Sequence, residues 1–232
     1  MPPLAAKLSA ELRAPDVSYR IRRSSRARRA RVTVDPLTGV EVVLPDRAPE
    51  REAAAVVAEL RPWIERRLAE LERARQSVAA RRGTVPYLDE TLTLVVQPGR
   101  TRVHRRGSQL LVPDGTAQLP ALERFYRRAA HQEISTRLDQ ACAQIGVSYA
   151  RLSIRGQRSR WASCSRSGTM SFNWRLLLAP AAVLDYVIWH EVCHLEVMDH
   201  SRRFWKLVAK RCPSYRQQVN WLRRNGATLV LC

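Results

Sequence analysis

Three of the five histidines fall within eleven residues, in the run His190-Glu191-Val192-Cys193-His194-Leu195-Glu196-Val197-Met198-Asp199-His200. Residues four apart on a helix project from one face. His190 and His194 can therefore grip one metal ion, each through a neutral imidazole nitrogen about 2.0–2.1 Å away. Glu191 lies one residue round from the first imidazole. It is badly placed to join the same ion and well placed to reach a water beside it, which is the division of labour in metal-assisted hydrolysis. A structural zinc site is usually closed by four protein ligands. Here His190, His194 and His200 are three good candidates, which leaves a position open for water.

Spacing alone leaves the third ligand open between His200, Glu196 and Asp199. Glu196 is two positions after His194 and points off the ligand face. Asp199 is better suited to accept the second N–H of a ligand imidazole. Cys193 reads as a small buried apolar residue. Tyr186, one turn before His190, either packs near the metal or donates to a transition-state oxyanion. His104 and His131 have no motif around them and read as ordinary histidines.

The motif needs a helix, and Pro180 opens one, with Leu184, Val187, Ile188 and Leu195 as core contacts. His200 sits beyond its end, next to Ser201, a candidate cap for a further helix over residues 201–211. Pro213 separates that from a last helix through Leu222. Upstream, residues 119–145 have helical periodicity and Gly146 is a plausible stop. Residues 151–155 and 169–174 alternate as strands, the latter with Met170, Phe172 and Trp174 on one side. Between them, residues 156–168 read as a polar, basic loop containing Trp161. The first half is strand-rich. Residues 17–22, 30–34 and 40–44 predict a meander with a turn over 35–39. Helices follow from Pro49 and Pro62, and strand signals return over 83–114. The fold class is α+β: a β-rich N-terminal half with helices, then a catalytic half with the motif helix and a small sheet. The expected division is a poorly ordered lead-in over 1–16, a β-rich region over 17–116 and a catalytic region over 117–232, the last two either separate or merged into one compact domain. No internal repeat is evident.

The chain has 232 residues, 45% of them hydrophobic, enough for one sizeable core or two small ones. Its formal net charge is +19. Such a field attracts polyanions, nucleic acid first. Seven arginines and no acid lie between Arg20 and Arg31, a polyanion-binding ribbon or a solvated strand face. Cys142, Cys164, Cys193, Cys212 and Cys232 are odd in number and lack a CxxC pair. Reduced thiols in a cytoplasm are expected, with neither a disulfide framework nor a four-cysteine zinc site. The first residues carry no signal-peptide pattern, and no apolar run approaches the roughly 20 residues of a membrane span. Oligomeric state has no sequence signal.

Several blocks together are similar to the YgjP-like metallopeptidases, a bacterial zincin branch related to SprT-like proteases. They are Arg158-Ser159-Arg160-Trp161-Ala162-Ser163-Cys164-Ser165, Phe172-Asn173-Trp174-Arg175-Leu176, Asp185-Tyr186-Val187-Ile188-Trp189-His190-Glu191-Val192-Cys193-His194-Leu195 and His200-Ser201-Arg202-Arg203-Phe204-Trp205. The resemblance is strongest from Arg151 onward; the arginine-rich strands and the Trp63-Ile64 helix match the family's N-terminal half more weakly. It implies one Zn2+ ion held by His190, His194 and His200, with Glu191 catalytic. Two departures stand out: Ala162 where the family has glycine, which questions a positive-φ turn there, and Trp189 where it has a smaller aliphatic residue.

The chemistry implied is zinc-assisted hydrolysis of peptide bonds. Residues 169–174 are a candidate strand for pairing an extended peptide, or an internal strand filling the core. Tyr186, Asn173 and the arginines of the 155–166 loop are candidate oxyanion donors; Asp199 and Trp161 are further second-layer or substrate candidates. The expected partners are a protein or peptide and, through the basic surface, nucleic acid, with no membrane. The rivals are a nucleic-acid-binding protein whose zinc is only structural, and a hydrolase of non-peptide amides. Between the first of these and the peptidase stands a protease acting on nucleic-acid-associated proteins, as SprT-like relatives do.

Overall fold

Strand alternation, proline positions and left-handed glycines account for most of the elements. The computed structural model describes residues 12–14, 17–35, 38–157 and 160–231. The chain divides into two compact units, Met1–Arg75 and Gln76–Cys232.

The first unit holds strands β1 (Leu12–Ala14), β2 (Val17–Ser24), β3 (Arg31–Asp35) and β4 (Gly39–Pro45), then helix α1 (Arg51–Glu59) and the start of α2 (Arg61–Ala80). Val17, Tyr19 and Ile21 alternate inward on β2 and share a core with Val42, Leu44, Ala53, Val57 and Ile64. The sheet order is β1-β2-β4-β3, with β2 parallel to β4 and β3 antiparallel to it. This corrects the expected meander. Asp35 pairs with Gly39 (φ 75°), so β3 and β4 form a hairpin, while the longer link over 25–30 lets β4 lie between β2 and β3. Residues 12–14 of the expected lead-in form β1; the rest of that segment lies outside the described residues.

The second unit opens with β5 (Thr84–Tyr87), β6 (Glu90–Val96), β7 (His104–Arg106) and β8 (Gln109–Val112), in the order β5-β6-β8-β7. This is the topology of the first sheet again, strand for strand. Leu12 pairs with Tyr19, Ile21 with Val42 and Arg31 with Val43. Val85 pairs with Leu92, Leu94 with Leu110 and His104 with Leu111. Leu44-Pro45-Asp46 and Val112-Pro113-Asp114 close equivalent strands. The chain therefore contains a structural repeat that its sequence hides, because only inward positions need to stay apolar and the outward ones are free to differ.

Helix α3 (Gln118–Ile145) buries Leu122, Tyr126, Ala130, Ile134 and Leu138 along one face and ends at Gly146 (φ 69°). A three-stranded sheet follows, from β9 (Arg151–Arg155), β10 (Ala162–Cys164) and β11 (Thr169–Asn173), ordered β10-β11-β9. Helices α4 (Ala181–Cys193), α5 (Arg202–Arg211) and α6 (Tyr215–Asn225) complete the unit. Both the β5–β8 sheet and α3 feed one core with α4, through Leu92, Leu110, Tyr126, Leu184 and Phe204. The boundary expected after residue 116 thus lies inside the second unit. No helix among the described residues is long and apolar enough to cross a membrane.

Candidate metal centre

Helix α4 reaches its ligand-bearing end through buried contacts. Pro180 precedes its first turn, and the Ala181 N–H is taken up by the Asp89 carboxylate. Val183, Leu184, Val187, Ile188 and Val192 are buried. The Arg137 guanidinium on α3 donates to Asp185 at 2.6 Å, pinning the helix in place.

His190, His194 and His200 converge, with ligand-capable atoms all within 4.8 Å of one another. The turn after α4 tightens, with His194 N–H bonded to Glu191 O and Val197 N–H to Cys193 O, and brings His200 back over the helix end. His190 Nε2 and His200 Nε2 stand 3.1 Å apart. Two ligands about 2.0–2.1 Å from one tetrahedral ion stand about 3.3–3.4 Å apart. His194 donates from Nδ1 to the Val197 carbonyl at 3.0 Å, which frees Nε2 as a base. Burial, with the neighbouring imidazoles, pushes the His190 pKa down to about 3, and burial also lowers that of His194. Both rings are therefore neutral near pH 7, as ligation needs. These residues fit a divalent metal of the zinc class.

Glu191 is buried at 5% exposure. Burial pushes its pKa up to about 8, opposed by a hydrogen bond from the Cys164 backbone N–H and by the Arg160 charge. Glu191 Oε2 is buried and has no partner among the described residues.

Aromatic rings wall the histidines. Phe204, fully buried, stacks on His194 with centroids 4.4 Å apart and planes at 22°. Trp205 lies 5.7 Å from His190 and 5.9 Å from His200. Tyr186 meets His190 edge-on at 5.9 Å, and burial followed by the Glu191 charge pushes its pKa up to about 12.

Other expected site residues lie elsewhere. Asp199 does not hold an imidazole; it accepts the Ser201 N–H at 3.0 Å, and the Val197 carbonyl has the role expected of it. Ser201 makes no side-chain cap. Asn173 is buried and ties the β9–β11 region together, donating to Gln157 O at 2.7 Å and accepting from Arg175 N–H at 3.2 Å. Trp161 accepts the Asn173 N–H on its carbonyl at 2.7 Å and packs its ring against Gly226. The strand over residues 169–173 is central and buried, hence no edge for a peptide; the edge beside Glu191 is β10, a strand hidden in what reads as a polar loop. Its three residues are half-buried and too few to show a period. Ala162 is extended there, paired with Phe172, so no glycine is required. Trp189 lies under the Arg211 guanidinium, 5.9 Å from its centroid. Arg158 and Ser159 lie outside the described residues. Cys164, Val197, Phe204 and Trp205 are site neighbours that residue-type reasoning did not single out; Phe204 shares the buried face of its helix with Val208, four residues on, and that spacing was its signal.

The model of the YgjP-like metallopeptidase domain matches residues 28–225. The chain belongs to the YgjP-like metallopeptidase family. It is a metallopeptidase, acting on protein or peptide. Among solved structures it is similar to the metallopeptidase zymogen abylysin of Pyrococcus abyssi, at 24% identity over 39% of this chain and 96% of that one, with a TM-score of 0.34. It is similar also to the zymogen jannalysin of Methanocaldococcus jannaschii, at 16% identity over 38% of this chain and 94% of that one, with a TM-score of 0.33. No curated protein matches this YgjP-like metallopeptidase significantly.

Proposed function

We propose that this metallopeptidase holds one zinc ion on His190, His194 and His200 and uses Glu191 as general base and then general acid. The observation that carries the reading is three imidazoles converging beside a buried carboxylate with one oxygen that has no partner among the described residues. Zinc bound there supplies Lewis acidity, polarising the scissile carbonyl and lowering the pKa of water from 15.7 towards about 7. Glu191 Oε2 takes a proton as the water oxygen bonds to the carbonyl carbon, then returns it to the amine as the C–N bond breaks. Tyr186, protonated up to about pH 12, is the proposed donor to the oxyanion. The free edge of β10 is the proposed seat of an extended substrate, aligned by strand addition.

The net charge of +19 supports nucleic-acid-associated proteins as targets. The free thiols of Cys142, Cys164, Cys193 and Cys212 support a cytoplasmic setting. A purely structural zinc in a binding protein is disfavoured, because such a site needs no carboxylate at Glu191 and is normally closed by a fourth ligand.

The test compares wild type with Glu191→Gln for bound zinc and for cleavage of an unfolded protein, with and without DNA. The expected result is equal zinc and a rate about 10²- to 10⁴-fold lower in the variant. Equal zinc with two inactive proteins and salt-sensitive DNA binding supports the binding-protein reading instead.

A further inference from the structure

The repeated sheet carries its arginines at one recurring place, the connection between its second and third strands. In the first copy this is residues 25–30 with the flanking ends of β2 and β3; in the second it is residues 97–103 with the start of β7. Applying the common register, Arg29 corresponds to Arg102, Arg31 to His104 and Thr33 to Arg106.

The arginines of the first copy divide into two sets. Arg22 pairs with Glu41 at 2.9 Å; Arg23 reaches Glu50 at 3.6 Å and donates to the Asp46 and Ala48 carbonyls. These hold the sheet together. Arg26, Arg28, Arg29 and Arg31 are exposed, and their side chains meet no partner among the described residues. Arg102 and Arg106 in the second copy are likewise exposed and unpartnered among the described residues. No acid occurs over residues 20–34. Like charges gathered so closely repel unless a counter-charge is present.

We propose that the β2–β3 connection, through Arg26, Arg28, Arg29 and Arg31, is a binding surface for the phosphate backbone of duplex nucleic acid, with Arg102 and Arg106 as its second copy. Guanidinium presents a rigid fork matched to phosphate oxygens, and arginine supplies every cation of both sets. Neither connection contains Phe, Tyr or Trp. Base stacking, the mainstay of single-strand binding, is thus missing, and contact falls on the backbone without sequence preference. These arginines include no residue of the metal centre, and their binding does not rest on the peptidase chemistry.

The test is fluorescence anisotropy of a labelled mixed-sequence DNA duplex against the full chain, over a range of salt. The variant carrying Arg26→Gln, Arg28→Gln, Arg29→Gln and Arg31→Gln is expected to bind at least about tenfold more weakly, with the slope of log K against log salt reduced in magnitude by about 3–4. The Arg102→Gln, Arg106→Gln pair should reduce it by about 2. A charge-matched control removes Arg124, Arg128, Arg223 and Arg224, exposed on α3 and α6, and should leave the slope nearly unchanged. Glu191→Gln should bind like wild type. An unchanged slope in the first variant, or an equal drop in the control, overturns the proposal. So does polyglutamate displacing the duplex at equal charge, which would assign the surface to acidic proteins.

Discussion

At the residue scale, charge state decides what the site can do. His190, pushed down to about 3 by burial, is neutral when folded and protonates near 6.5 when unfolded. The folded state then binds fewer protons between those values, so its contribution is complete above about pH 6.5 and is lost as pH falls towards 3. The expected outcome is a metal-free protein that loses thermal stability across that window. His190→Gln should flatten the loss, and melting curves at stepped pH read it directly. A parallel loss in both proteins would remove His190 as the cause. The HExxH spacing made this residue legible from sequence. The Val197 carbonyl was not, because any residue supplies a carbonyl and only the tight turn after α4 aims that one at His194.

At the element scale, the site depends on helices and a strand that place few residues of their own in the chemistry. Helix α5 buries Phe204 and Val208 on the face carrying the ring that stacks on His194. Phe204→Ala is expected to cost about 3–5 kcal/mol and to loosen metal binding, seen as a lower denaturant midpoint and faster zinc loss to a chelator. Phe204→Leu should recover much of the stability and little of the ring stacking. Trp161 leads into β10, and a Cβ on Gly226 would stand 2.9 Å from its Cζ2. Gly226→Ala should therefore displace the indole, lower stability by about 1–3 kcal/mol and reduce peptide turnover. Unchanged turnover would mean that β10 tolerates the shift. Helices were readable because their apolar residues recur over many turns, as along α3. Three-residue β10 offers no such period, and its edge position is set by pairing with β11 rather than by its composition.

At the scale of the whole molecule, two consequences follow from metal and charge. Ligation stabilises only the folded chain, so chelation should lower the melting temperature, and restored zinc should raise it in proportion to the logarithm of its concentration. A Tm indifferent to both would mean that the ion contributes nothing to the fold. The composition foretold the charge, the alternating and helical periodicities the α+β class, and the motif the metal chemistry. Strand order escaped it, since β4 separates β2 from β3 by the length of a connection and not by any residue type. The doubled sheet escaped it too, because register is preserved while the outward side chains differ. The central claim is a single ion on three imidazoles with an open position for solvent. X-ray absorption at the zinc edge, on protein isolated without chelators, tests it most directly. The account predicts one zinc per chain with three nitrogen ligands at about 2.0–2.1 Å and one light-atom ligand from solvent; a metal-free chain, or a fourth ligand from cysteine sulfur, would contradict it.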